Sequence, residues 1–198
     1  GFPPEESGLS GLVLGADFET SGDIFLLHTA AFGDDQLKNR ITRLTYVEKN
    51  GDALGESPVQ IFEGNIDSEL SHQIQGGVGV MVEGKPHLIF NVGDAVNGKN
   101  APNPAIEAGK VMLIQRDGSN PLGPRPFPVT PKIQAIGIRN PFDIAQNPFD
   151  PEKRFALGDT GTDQNDRFLY GTLIAASGAR PVDFNWNGTK ESLEKAAP

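Results

Sequence analysis

Cysteine is absent from the 198 residues, which removes disulfides, thiol catalysis and zinc-thiolate sites together. The compartment stays open, because an exported fold need not use disulfides. Positive charge is also short: 17 Lys and Arg against 26 Asp and Glu leave a net charge of -9. That balance cannot neutralise a phosphate backbone, so nucleic acid is not an expected partner. No apolar run approaches the ~20 residues that cross a bilayer, so no membrane span is expected. The opening GFPPEESGLSG lacks the features of a signal peptide and reads as the middle of a longer protein. Hydrophobic residues make up 37%, scarce for a packed α/β enzyme. No window keeps a helical period except the C-terminal KESLEKAA.

What is abundant is turn chemistry: 24 Gly and 16 Pro, the mixture that joins many short strands. Runs rich in Val, Ile, Leu, Phe and Thr, each bounded by Gly, Asn, Asp or Pro, predict strands. In the first half they cover 24–29, 40–48, 59–64, 77–82, 87–93 and 110–116. The second half adds 132–138, 142–147, 153–159, 167–173 and 181–186. The fold class is all-β.

A pattern recurs in PHLIFNVGDAVNGKN and EKRFALGDTGTDQND: a turn, a strand ending in Gly-Asp, then a polar loop. A repeated unit of this kind points to propeller blades rather than a closed barrel. At about four strands per blade, these strands make roughly two to three blades, fewer than a ring needs. The expected architecture is a partial six-bladed β-propeller of four-stranded antiparallel blades over residues 1–198, with blades missing at the N- and C-terminal ends. Two long loops, APNPAIEAG and SNPLGPRPFPVTP, interrupt the strands. Structureless stretches of that length are usually functional or flexible rather than core.

Four segments, in one order, resemble the glucose/sorbosone dehydrogenase family. GLSGLVLGADFETSGDIFLLHTAAFGDDQLKNRITRLTYV is similar to an early blade, with a Gly-Leu-x-Gly-Leu turn and an Asn-Arg pair. SHQIQGGVGVMVEGKPHLIFNVGD has a His before a Gly-Gly strand and a Gly-Asp strand end. EAGKVMLIQRDGSNP has a Gly-Lys strand and an Asp-Gly turn. IGIRNPFDIAQNPFDPEKRFALGDTGTDQNDRF carries an Arg-Asn-Pro turn and an acidic Gly-x-x-x-x-Asp loop, the most specific part. Their shared order over most of the chain carries more weight than any one of them.

The resemblance implies a calcium-dependent enzyme that oxidises a sugar with pyrroloquinoline quinone (PQQ), located in the periplasm or secreted. Such chemistry needs a base for the anomeric hydroxyl proton while a hydride leaves for an electron-poor quinone carbon. Histidine is the natural base near neutral pH. Of three histidines, His72 stands before the Gly-Gly strand as the family's catalytic histidine does. His28, inside a strand pattern, reads as structural, and His87, after Pro86, as an exposed turn residue. Arg139 and Asn140 occupy the turn that reaches the cofactor in the family, and Arg139 joins His72 as a catalytic candidate. On residue type alone Arg139 would be a solvated turn residue.

The segment GDTGTDQND is rich in hard oxygen donors and flexible glycine, which suits calcium. The resemblance implies that the carbonyls of Gly161 and Thr162 bind the ion, that Asp166 supports the site and that Thr160 lies against the cofactor. The partners it implies are a small sugar and an electron acceptor that the sequence does not identify. Four positions depart from the family pattern. Two extra residues separate His72 from Gly76, Ala95 stands where some members have Gln, Thr160 where they have Gln or His, and Arg167 where a second acid is common. Trp186 matches an aromatic turn and reads as a packing residue.

Two other function classes compete. A calcium-dependent propeller hydrolase of the lactonase type would need acidic and amide side chains converging on the ion. A noncatalytic propeller binding module would have no use for His72, Arg139 and Asn140.

Overall fold

The computed structural model describes residues 6–31, 36–120, 133–150, 154–162, 165–173 and 180–194. It is nearly all-β, with three sheets that follow one another along the chain. The first runs in order through β1 (Leu9–Leu14), β2 (Asp23–Ala31), β3 (Leu37–Lys49) and β4 (Asp52–Glu63), all antiparallel. A single helical turn, α1 (Phe18–Ser21), links β1 to β2. The second sheet holds β5 (Ile74–Val82), β6 (Lys85–Val92), β7 (Lys110–Gln115) and β8 (Ile133–Ile136). The third is β9 (Pro141–Gln146), β10 (Arg154–Asp159) and β11 (Arg167–Thr172). The last strand, β12 (Val182–Asp183), returns to lie parallel to β8 as a fifth member of the second sheet, and α2 (Lys190–Glu194) follows. Among the described residues, then, the sheets have four, five and three strands, and one pairing is parallel. The uniform four-stranded antiparallel set expected from the sequence is met by the first sheet alone.

Residue alternation explains why the second sheet is central. Leu88, Phe90, Val92, Met112 and Ile114 turn toward the first sheet and meet Phe25, Leu27, Ile41 and Phe62. Their neighbours Ile89, Val111 and Leu113 turn the other way and meet Ile144, Phe155, Leu157 and Leu169 of the third. A sheet covered on both faces needs apolar residues at successive positions, which is why HLIFNV and KVMLIQ read as continuous apolar runs. Each such buried side chain contributes about 1.5–3 kcal/mol. Phe62 and Phe90 meet edge to face across the first interface, centroids 4.9 Å apart, the arrangement that ring quadrupoles favour.

The first strands of the three sheets adjoin, with β5 packed against both β1 and β9. This close approach dictates glycine at position 76: a Cβ there would lie 2.6 Å from Cα of Asp143 in β9. The three first strands line a cavity of about 290 Å³ with Ser10, Gln75 and Asp143 on its wall.

Several expectations change. β1 lies where the sequence suggested a turn, and β4 begins seven residues before the predicted 59–64 run. His87 is not an exposed turn residue: it sits in β6, buried, with Nδ1 2.9 Å from the Lys85 carbonyl. The loop 101–109 is packed rather than free, with Ala101 and Ala108 fully enclosed. Most of the proline-rich stretch lies outside the described residues. His28 does behave as a structural strand residue, its Nε2 2.9 Å from Thr42 Oγ1. Among the described residues no helix is long and apolar enough to cross a membrane.

Gly76→Ala forces two backbones apart and is expected to destabilise by about 1–3 kcal/mol. Gly158→Ala, where an added methyl meets nothing within 4 Å, should stay within about 0.5 kcal/mol of the parent or improve on it. Urea denaturation of both variants measures the contrast.

Candidate active site

One rim of the three sheets collects the chemistry. β5 and β9 begin there, β6 and β10 end there, and Val92 pairs with Ile74 as Asp159 pairs with Pro141. His72 therefore precedes β5, Asp94 follows β6, Arg139 and Asn140 precede β9, and Thr160 follows β10. The antiparallel register brings these distant sequence positions together.

His72 is buried, and its backbone is left-handed at φ 57°, a conformation that a non-glycine residue keeps only when its surroundings impose it. Two contacts do so. Its peptide N–H donates to Glu6 Oε2 at 2.8 Å, and its carbonyl lies 2.5 Å from where a Cβ on Gly93 would stand. Gly93 is thus the only residue type that lets the histidine backbone reach the end of β6. The imidazole then meets Asp94: Nδ1 is 2.6 Å from Oδ1. A carboxylate only accepts, so Nδ1 carries a proton, and in the neutral ring that leaves the lone pair on Nε2. No protein group among the described residues bonds Nε2.

Asp94 is the centre of the arrangement. With 1% of its surface exposed, its other oxygen accepts Nε1–H of Trp186 at 2.7 Å. Its peptide N–H donates to the Arg139 carbonyl at 2.7 Å, and its own carbonyl accepts Asn100 Nδ2 at 3.0 Å. Trp186 reaches this point because the chain continues alongside β8: Phe184 N–H donates to Ile136 O and Trp186 N–H to Gly137 O.

Arg139 lies beside the same indole, its guanidinium carbon 5.9 Å from the ring centroid, and donates through one terminal nitrogen to the Thr160 carbonyl at 2.9 Å. Its remaining guanidinium donors bond no described residue. The Arg139 turn is fixed from below by Asp159, which accepts the peptide N–H groups of Arg139 (3.0 Å) and Asn140 (2.8 Å). Arg167 closes this second cluster, bonding Asp159 and the carbonyls of Phe184 and Gly137. Burial pushes the Asp159 carboxyl up from its ordinary value, and the Arg167 charge with its hydrogen bonds pulls it back.

Asn140 is buried with its side chain engaged: Oδ1 accepts Gln75 Nε2 at 3.2 Å and Nδ2 donates to Glu6 Oε1 at 3.3 Å. Gln75 Nε2 also donates to Glu6 Oε2 at 3.3 Å. One carboxylate, Glu6, thus ties together the segment before β1, the first turn of β5 and the Arg139 turn.

The expected metal loop follows β10. Asp166 Oδ1 accepts the Gly161 N–H at 3.1 Å, and the Thr162 carbonyl accepts Asn165 N–H at 3.1 Å. Residues 163 and 164 lie outside the described residues. No group of three or more His, Asp or Glu among the described residues forms a cage, so the donors on offer are backbone carbonyls with one carboxylate nearby, a hard-oxygen set.

The rim thus brings together His72, Arg139, Asn140 and Thr160, with Gly161, Thr162 and Asp166 on the adjoining loop. Asp94, Trp186, Glu6 and Gln75 are further members that residue-type reasoning missed. The recurring Gly-Asp marked Asp94 as a strand end, and nothing local marked Glu6 or Gln75.

The family model for glucose/sorbosone dehydrogenase matches residues 2–168. Among solved structures, the PQQ-bound form of an aldose sugar dehydrogenase from Streptomyces coelicolor is 23% identical, with a TM-score of 0.73, over 95% of this chain and 50% of that one. The apo-form of the soluble aldose sugar dehydrogenase from Escherichia coli is 21% identical, with a TM-score of 0.71, over 92% of this chain and 51% of that one. The chain therefore spans about half the length of the structures it matches, and at these identities the likeness concerns the fold. No curated protein matches by sequence.

Arg167→Met would leave the Asp159 carboxylate buried without its cation and is expected to cost about 3–5 kcal/mol of stability. The double variant Asp159→Asn, Arg167→Met should recover part of that loss, as read from denaturation midpoints.

Proposed function

Because the chain belongs to the glucose/sorbosone dehydrogenase family, we propose that its protein oxidises an aldose at the anomeric carbon with calcium and PQQ, in the periplasm or outside the cell. The observation that carries this reading is the His72 pair: a histidine held on Nδ1 by a buried carboxylate, with Nε2 left for a substrate proton, on the same rim as a guanidinium with donors to spare.

PQQ, when bound, would supply an electron-poor acceptor for the hydride, and calcium would supply Lewis acidity to it. His72 Nε2 takes the proton of the anomeric hydroxyl. Asp94 keeps the ring in the tautomer that exposes Nε2 and stabilises the imidazolium that forms. Arg139, clamped between the Trp186 face and the Thr160 carbonyl, directs its unused donors at a carboxylate or a developing oxyanion, which a rigid planar fork does well. Thr160 meets that guanidinium through its carbonyl, and Asn140, next to Arg139 in the same turn, would stand with it on the cofactor wall. The carbonyls of Gly161 and Thr162 would hold the calcium ion, with Asp166 fixing the loop through the Gly161 N–H.

In this reading the three sheets are blades of a six-bladed propeller of which residues 1–198 form a part, and the remaining blades contribute the rest of the pocket. The support is the side-by-side placement of β1, β5 and β9, the order that first strands take around a propeller axis. A sugar is the substrate, and a separate acceptor removes the electrons.

Glu6, Gln75 and Asn140 form the acidic-and-amide cluster that a lactonase would aim at its ion. Here the amide nitrogens point at the Glu6 oxygens, which makes the cluster a set of internal hydrogen bonds.

The test is reconstitution of the full-length protein with PQQ and calcium and dye reduction over a panel of aldoses. Sugar-dependent reduction that requires both is expected, and His72→Gln should lower kcat by about 10²–10⁴-fold, the range for loss of a general base. A reconstituted protein that reduces no dye with any aldose, or that opens lactones without PQQ, contradicts the reading.

A further inference from the structure

Lys110 opens β7 and has none of its surface exposed. Lysine is almost never fully buried, because an ammonium loses its hydration there, and no carboxylate among the described residues bonds this one. Its Nζ instead donates to three carbonyls, those of Asn100 (2.9 Å), Ala101 (2.8 Å) and Ala108 (2.6 Å). All three belong to the loop that leaves β6 at Asp94 and re-enters the sheet at Lys110. The loop is closed at its base by the Gly109 N–H on the Gly93 carbonyl, 2.8 Å.

We propose that Lys110 is a positioning residue for the site: its Nζ holds this loop in shape and thereby fixes the Asp94 carboxylate that orients His72 and Trp186. The role in catalysis rests on the dehydrogenase reading, while the positioning does not.

The route is short. The Asn100 carbonyl is bound by Nζ, and the Asn100 side chain donates to the Asp94 carbonyl at 3.0 Å. The Ala101 carbonyl accepts from Nζ and also from the Gly137 N–H at 3.1 Å, two residues before Arg139. One cation therefore braces both the Asp94 branch and the Arg139 branch of the rim. A loop with no ladder of its own must find donors for its inward carbonyls. An ammonium offers three N–H groups in one small volume, which neither an apolar side chain nor a neutral amine can match. Burial pushes the Lys110 ammonium down to about 7, against the pull of the Asp183 and Asp94 carboxylates. The three carbonyl bonds are what the charged form gains in return.

Two signals at the far end of this route report on it without any cofactor: solvent exchange of the Trp186 indole N–H, and the nitrogen shifts of the His72 ring. Both are read by NMR on full-length protein labelled with ¹⁵N at Trp and His, with assignment by loss of each signal in Trp186→Phe and His72→Gln. In Lys110→Met the indole proton should exchange at least about tenfold faster, equivalent to about 1.4 kcal/mol of lost protection. His72 should move from a single Nδ1-protonated form to a mixture of tautomers. Phe62→Leu, in the core between the first two sheets, should lower stability and leave both signals unchanged. A folded Lys110→Met with wild-type exchange and wild-type His72 shifts overturns the proposal. If Lys110→Met does not fold, Asn100→Ala decides, since it removes only the side-chain link to Asp94: movement of both signals in the same direction supports the proposal, and unmoved signals overturn it. Failure of the wild-type protein to oxidise sugars would contradict the dehydrogenase reading and leave these two signals to judge Lys110 by themselves.

Discussion

A carboxylate inside a β-sheet protein must be surrounded by donors, and at Asp94 this requirement organises everything near it. The imidazole of His72 and the indole of Trp186 occupy its two oxygens, while its peptide groups reach Arg139 and Asn100. An unpaired buried charge would cost several kcal/mol, so these partners are held as firmly as Asp94 is. The same bonds that satisfy the carboxylate select the tautomer of the histidine and bring the arginine turn beside it. Structural satisfaction and chemical readiness are one arrangement here.

The second Gly-Asp strand end repeats the device with different partners. Asp159 lies one sheet further on, receives the Arg139 and Asn140 peptide groups, and is neutralised by Arg167. Arg139 is thereby bounded on both sides: its carbonyl accepts from the Asp94 peptide and its N–H donates to Asp159. A turn fixed at both ends by buried acids has little freedom left, so its guanidinium is preorganised, which lowers the cost of binding a planar anion. Arg167 serves as the counter-ion of Asp159.

Much of the strand layout was legible because the apolar runs of the second sheet are long and continuous. β1 escaped because Ser10 and Gly11 interrupt its run, although Ser10 turns its hydroxyl to the Ile74 carbonyl at 2.6 Å and the strand packs against β5 together with β2. β4 escaped in part because Gly55, Ser57 and Pro58 resemble a turn, and an edge strand tolerates such residues where a central one would not. His87 was misread because Pro86 before it suggested a loop, whereas the register with Val80 and Gln115 carries it into the sheet. Of the site, His72 and the Arg139 turn stood out through family resemblance. Asp94 was visible only as half of a repeat, and Lys110 as half of a Gly-Lys pair. The links among Glu6, Gln75 and Asn140 span up to 134 positions in sequence, and no local pattern announces a contact that only sheet packing creates.

The central claim is that His72 Nε2 and the Arg139 guanidinium serve one bound molecule. A crystal structure of the full-length protein grown with PQQ and calcium tests it most directly. The account predicts a single quinone on this rim, touching Arg139 and presenting its reactive face toward His72, with the ion on the Gly161–Thr162 carbonyls. A quinone bound elsewhere, or one that reaches Arg139 while His72 faces only protein, would contradict it.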